Sequence, residues 1–155
     1  MSKKLVYFFI FLVINFVSLA MGSWLMDNGP RTEWYANLNR APWEPPGWVF
    51  GFAWSLIMLC FSWYLAELFS NRASRFLWLL YGFQVMLNVS WNWLFFNQHF
   101  LGMSLLVIVL LTLVIAYYLI TFRNDNLQNA KYLLLPYLIW LCLATSLNAY
   151  IVIYN

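Results

Sequence analysis

The sequence predicts an all-α integral membrane protein, a single bundle of five transmembrane helices with a structured loop between helices 1 and 2. Three observations predict it. The 155-residue chain is 65% hydrophobic and only 8% charged, with a mean hydropathy of +0.72; soluble domains carry about a quarter of their residues charged. Five apolar runs, at 5–26, 48–66, 76–96, 101–122 and 132–154, hold no Asp, Glu, Lys, Arg or His. Each is long enough to cross a hydrocarbon core of ~30 Å at ~1.5 Å per residue. Finally, the segment between the first two runs is stiff and amphipathic, unlike a bare connection.

Extended to their flanks, the helices are expected at 5–26, 47–69, 75–97, 101–122 and 130–154, one domain over residues 1–155 with no internal repeat. Lys3, Lys4 and Ser18-Leu19-Ala20 give the first run some likeness to a signal peptide. The apolar stretch continues through Met26, so an uncleaved first helix is expected. Connections between the last four helices are short, so sequence neighbours should pack antiparallel. Six basic residues (Lys3, Lys4, Arg72, Arg75, Arg123 and Lys131) fall on the N-terminal side and two, Arg31 and Arg40, on the other. That asymmetry predicts a cytoplasmic N-terminus, with the loop outside, in a membrane such as the bacterial inner membrane. The net charge of +3 therefore reads as topology and as a complement to anionic lipid, not as a nucleic-acid surface.

In the first helix Asn15, Ser18 and Gly22 form a small, weakly polar seam, best read as helix–helix glue. The loop Trp34-Tyr35-Ala36-Asn37-Leu38-Asn39-Arg40-Ala41-Pro42-Trp43-Glu44-Pro45-Pro46-Gly47 carries three rings and three prolines. It reads as a lid over a site. Helix 2 presents Phe50, Trp54, Met58 and Phe61 as an aromatic and thioether stripe. Gly47 and Gly51, at its start, suit tight backbone packing beside the lid. Helix 3 spaces Gln84, Asn88, Trp91, Asn92 and Phe95 onto one face, and helix 5 does the same with Tyr137, Trp140, Ala144 and Asn148.

Two readings compete for these stripes. Asn and Ser hydrogen-bond across membrane helices for about 0.6–2 kcal/mol each. That accounts for Asn88 and Asn148 but not for the large rings beside them, which hold helices apart and suit a pocket. Spacing alone leaves both open. Depth favours the pocket: Trp54, Asn88 and Asn148 all lie about 9–13 Å below the lid-side ends of their helices at the standard rise, with Trp140 deeper, as a floor.

The other features read more plainly. Trp63, Tyr64, Trp78, Tyr81, Tyr117, Tyr118 and Tyr132 suit an interfacial belt. His99, in a short outer turn, suits a solvated imidazole. Cys60 and Cys142 fall inside helices and suit buried packing. No metal site, phosphate loop or nucleophile elbow is present, and these features assign no catalytic residue.

The order Trp34-Tyr35-x2-Leu38-x-Arg40, Trp43-x-Pro45-Pro46, Gly51-x2-Trp54, Leu87-Asn88-x2-Trp91 with Phe95-Phe96, and Pro136-Tyr137-x2-Trp140-x3-Ala144-Thr145-x2-Asn148 resembles the TspO/MBR family, the translocator or tryptophan-rich sensory proteins. The resemblance implies a five-helix bundle, often a homodimer, that binds tetrapyrroles such as protoporphyrin IX and haem as ligand, with no cofactor required. It makes Trp54 and Trp140 the two indoles linked to porphyrin binding and light-dependent breakdown, and Tyr35, Pro45 and Asn88 further contacts. Two departures stand out. Ala41 follows Arg40 where many members have proline, and Tyr150 is followed by no Lys or Arg, so the sterol motif is incomplete.

The expected ligand-binding set is therefore Tyr35, Arg40, Trp43, Pro45, Phe50, Trp54, Asn88, Trp91, Trp140, Ala144 and Asn148, around a hydrophobic planar small molecule. Arg31 or Arg40 would pair with its carboxylates or simply be solvated. The leading function is a tetrapyrrole-binding sensor, scavenger or regulator in the lipid bilayer. A porphyrin transporter and a light-dependent porphyrin-degrading enzyme are the alternatives. The spans carry no ionisable residue for ion coupling and no general acid or base.

Overall fold

The computed structural model describes residues 2–122, 127 and 129–155; Arg123, one of the basic residues in the topology argument, lies outside them. Among the described residues, five long helices make up the fold. α1 (Lys3–Leu25) opens with Ser2, whose hydroxyl accepts from the Leu5 amide. Asp27 and Asn28, both at positive φ, turn the chain into a 3₁₀ turn at Gly29–Arg31. A single turn of helix follows, α2 (Glu33–Ala36), capped by Thr32. Pro42 enters a turn closed by the Glu44 amide on the Ala41 carbonyl, and Pro45 and Pro46 keep the chain non-helical after it, because each removes an amide donor and fixes φ. α3 (Gly47–Asn71) then begins directly after Pro46.

Ser74 caps α4 (Arg75–Asn92) by accepting from the Leu77 amide at 3.2 Å. The helix widens into a π-helical turn at Trp93–Asn97, a feature that inserts one residue per turn and recurs at functional sites. α5 (Leu101–Thr121) and a 3₁₀ turn at Ala130–Leu134 lead to α6 (Leu135–Tyr154), with Pro136 in its first turn, where a missing amide is harmless.

Four of the long helices, including α1, α3, α5 and α6, are apolar and long enough to cross a membrane. α4 is not among them. Its 18 residues include Arg75, Gln84, Asn88 and Asn92 and span only ~27 Å at ~1.5 Å per residue. Large apolar side chains cover the outside of the bundle: Val13, Phe52, Leu79, Leu113, Ile120 and Ile139 are all exposed. Such a surface suits lipid and is foreign to a water-facing domain.

The helices close into a ring in the order α1, α3, α6, α5, α4. This corrects the expectation that sequence neighbours pair throughout. α4 pairs with α5 and α5 with α6, but α3 packs on α1 and α6 instead of on α4. α3 and α4 meet through rings near their connection, with Phe69–Trp78 centroids 4.7 Å apart and Phe61–Tyr81 6.4 Å apart.

The far half of the bundle is filled. Phe11, Phe61, Tyr64, Phe69, Tyr81 and Tyr118 are buried there, so Tyr64, Tyr81 and Tyr118 belong to the core and not to an interfacial belt. Two of the three hydroxyls are satisfied inside: Tyr64 OH donates to the Tyr118 carbonyl, and Tyr81 OH to Asn15 Oδ1 at 2.8 Å, while the buried Tyr118 OH has no partner among the described residues. Trp63, Trp78, Tyr117 and Tyr132 remain exposed. The cysteines also depart from expectation. Cys142 is exposed on α6, Cys60 is half-buried, and both are free, since each sits on a helix side turned from the core.

Candidate functional site

A hollow of about 700 Å³ opens in the lid-side half of the bundle, within the size range of small-molecule sites. α1 supplies Ser18, Leu19 and Ser23, with Met26 just past its end. α3 supplies Phe50, Gly51, Trp54 and Ser55. The far wall is Asn88, Trp91 and Asn92 of α4, with Phe96 of the wide turn. Tyr35, Arg40, Glu44, Pro45 and Pro46 roof it. The hollow thus lies between α3 and α4, the sequence neighbours that do not form a packed pair.

Its floor is a polar brace. Asn15 of α1 donates to Ser62 of α3 at 2.9 Å and accepts from Tyr81 of α4. Gln84 of α4 donates to Tyr137 OH of α6 at 2.8 Å, and Tyr137 meets the edge of Trp54 at 5.9 Å. Each amide bridges two helices, the arrangement that membrane bundles use in place of a hydrophobic drive.

Asn88 behaves differently. It is 6% exposed, and its side-chain amide takes no hydrogen-bond partner among the described residues; only its backbone carbonyl is used, by Asn92. Its amide atoms are not sealed off, because the residue lines the hollow, so they are free to take a partner that comes from there. Trp91 beside it stacks on Phe95 at 5.5 Å and 15°, and its indole N–H finds no acceptor.

The lid is fastened on two sides. Trp34 stacks on His99 at 3.8 Å and 14° and meets the edge of Phe95, so His99 is a stacking platform and not only a solvated ring. Gly29 lies so close to Phe96 that an added Cβ would stand 2.4 Å from the Phe96 Cβ. At the opposite edge, Asn39 exchanges hydrogen bonds with Asn155 and donates to the Tyr154 carbonyl. Trp43 Nε1 donates to Ser146 Oγ at 3.1 Å, and its ring meets Tyr150 edge-on.

At the rim, Tyr35 OH donates to Glu44 Oε1 at 2.6 Å, and Arg40 Nη1 donates to Glu44 Oε2 at 3.2 Å. Burial, with the neighbouring Glu44 carboxylate, pushes the Tyr35 phenol well above its ordinary value of 10.0. It therefore stays a donor throughout the physiological range.

Of the sequence-predicted site residues, Tyr35, Arg40, Pro45, Phe50, Trp54, Asn88 and Trp91 line the hollow. Trp43, Trp140, Ala144 and Asn148 do not. Trp43 is occupied as a lid fastener. Trp140 is buried behind Phe50, which meets it edge-on at 5.1 Å, so it is not the floor. Ala144 is buried in the same inward stripe of α6. Asn148 donates to Ser104 of α5 at 3.0 Å and is helix–helix glue. The third wall belongs to α1, not α6. Ser18 was read as glue and lines the hollow, while Gly22 lets α4 approach: a Cβ there would stand 2.8 Å from Asn92 Nδ2. Leu19, Ser23, Ser55, Asn92 and Phe96 line the hollow outside the sequence-predicted set, and Glu44 is the charged lining residue that joins them there. Its place, four residues after Arg40, was the available signal.

The same residues place the chain among known proteins. The profile of the TspO/MBR family matches residues 9–154. The chain is 33% identical to the tryptophan-rich sensory protein of Cereibacter sphaeroides over 116 residues, covering 75% of this chain and 73% of that one. It is 32% identical to protein CrtK of Rhodobacter capsulatus over 120 residues, 74% of each. It is 33% identical to the human translocator protein over 127 residues, 78% of this chain and 74% of that one. A helical bundle with an apolar exterior, a roofed hollow and a family match over nearly its whole length identify this chain as an integral membrane protein belonging to the TspO/MBR family.

Proposed function

We propose that the hollow binds a flat, largely apolar pigment of the tetrapyrrole class, protoporphyrin IX or haem, and that the protein acts as a sensor, scavenger or regulator of it. The carrying observation is Asn88: an amide with no side-chain hydrogen bond among the described residues, lining with Trp54 and Trp91 a chamber of about 700 Å³. Trp54, Phe50 and Trp91 offer ring faces and edges to a planar ligand, each worth roughly 0.5–1.5 kcal/mol beyond area burial. Trp140, one ring behind Phe50, would respond to the ligand indirectly. All five long helices would cross the bilayer, α4 shielded within the ring and lengthened by its wide turn. The N-terminus would face the cytoplasm, with the lid on the other side of a bacterial inner membrane. A homodimer is part of the same proposal.

The test is a titration of the purified protein with protoporphyrin IX and with haem, read by tryptophan quenching. Saturable quenching that weakens in Asn88→Leu and in Trp54→Phe supports the reading; quenching indifferent to both changes defeats it. Passive movement of the ligand is a second reading, favoured by Ser23 and Gly51, which line the hollow yet are exposed on the bundle surface. Pigment flux into proteoliposomes, compared with that of Gly51→Phe, decides it.

A further inference from the structure

We propose that Glu44 is a stand-in carboxylate, holding in the closed lid the donors that an acid group on the edge of the ligand takes over. The inference rests on the pigment reading of the hollow and adds what its rim selects. Arg40 and Glu44 are the charged residues of the lining, and they neutralise each other. Both carboxylate oxygens of Glu44 are engaged, one by the Tyr35 hydroxyl and one by the Arg40 guanidinium. The guanidinium also lies 5.3 Å from the centre of the Tyr35 ring. Its other face is open: the Arg40 side chain is 45% exposed against 15% for Glu44.

These two donors form a receptor for one carboxylate, a phenol and a guanidinium converging at the mouth of an apolar chamber. Charge-assisted bonds of this type are stronger than neutral ones. The receptor is filled from within. Glu44 is set by a turn in which its amide bonds to the Ala41 carbonyl, between Pro42 and Pro45, so it loses little freedom in staying there. An incoming carboxylate presents the same two acceptor oxygens. It takes over both donors while Glu44 turns to water, and no donor goes unpartnered in the exchange. A ligand without an acid group has nothing to offer in return, so Glu44 keeps the rim. The site then discriminates by a difference between two competitors for one receptor, not by raw attraction.

The experiment compares protoporphyrin IX, which has two edge carboxylates, with its dimethyl ester, which has none. Both are titrated against the wild type, Glu44→Gln, Arg40→Gln and the double variant. Glu44→Gln removes the competing charge at constant size, so the diacid should bind about tenfold tighter and the ester unchanged. Arg40→Gln should weaken the diacid about tenfold and leave the ester alone, and in the double variant the gain should vanish. Equal shifts for diacid and ester, or weaker diacid binding in Glu44→Gln, overturn the exchange and leave the pigment reading intact. No binding of either pigment by any variant overturns both. A ligand-free measurement checks that the rim is latched at rest. Trypsin cleavage after Arg40, where Ala41 follows, should quicken severalfold in Glu44→Gln; an unchanged rate means that Glu44 holds nothing.

Discussion

The two halves of the bundle are built from the same side chains and end in opposite states. In the far half, amides and rings fill space: Asn15 satisfies Ser62 and Tyr81 at once, and Phe61, Tyr64 and Tyr118 are sealed around them. In the lid-side half, the Asn88 amide has no side-chain partner among the described residues, and it borders a void with Trp54 and Trp91. The difference is which helices face each other. Near their connection α3 and α4 touch through Phe69 and Trp78. Toward the lid neither has the other as a packed partner, so a side chain there meets space. An amide in a membrane bundle is glue where a packed neighbour offers a complementary group, and a binding group where none does.

The largest effect should come from stripping the void of its rings. Trp54→Ala with Trp91→Ala should lower pigment affinity about 100-fold, at ~1 kcal/mol or more per ring, while the thermal midpoint in detergent barely moves. A collapse of the midpoint would mean that these indoles support the fold, and the contrast between halves would fail. Next is the brace. Asn15→Leu leaves Tyr81 and Ser62 without their partner and should cost about 2 kcal/mol in an unfolding titration, with pigment affinity kept.

The sharpest comparison pairs two asparagines. Asn88→Ala should reduce affinity several-fold without loss of stability. Asn148→Ala, which deserts Ser104, should cost about 1 kcal/mol of stability without loss of affinity. Interchanged outcomes would reverse the assignment of glue and site.

The smallest effect concerns pH. The Tyr35 phenol is held above its ordinary value by burial and by Glu44. A group whose pKa is raised by folding adds stability that is complete below its unfolded value and lost as pH climbs through the folded one. The lid should therefore be indifferent between pH 6 and 9, as read by trypsin sensitivity at Arg40. It should loosen only above about pH 10, and Tyr35→Phe should abolish that loosening.

Much of this was legible in the sequence because lipid imposes simple rules. Runs without charge declare helices, Pro45-Pro46 announces the start of α3, and residues three and four apart share a face, so Asn15, Ser18 and Gly22 are buried together, as are Tyr137, Trp140, Ala144 and Asn148. Those rules fix which face of each helix turns inward. They do not fix which helix it meets. The ring order puts α5 opposite Asn148 and α1 beside Asn92, and from that come both the misplacement of Asn148 in the site and the misreading of Ser18 as glue. The cores of long aromatic residues also mislead: Tyr64 and Tyr81 read as interfacial by position, yet each hydroxyl finds its partner inside. The rim was illegible for another reason. Glu44 looks like any exposed acid until Arg40 and Tyr35 are folded back onto it.

The wide turn at Trp93–Asn97 separates two alphabets in one helix. Residues before it, Asn88 and Trp91, are phased to the chamber; Phe95 and Phe96 within it meet the roof rings Trp34 and Tyr35. Deleting a single residue there would restore the ordinary 3.6-residue spiral and keep what lies beyond it nearly in step, because the extra residue is the one the wide turn absorbs. The chamber wall would stay put while the roof lost one of the two neighbouring rings beneath it, so the length of this one turn sets how much the roof has to rest on.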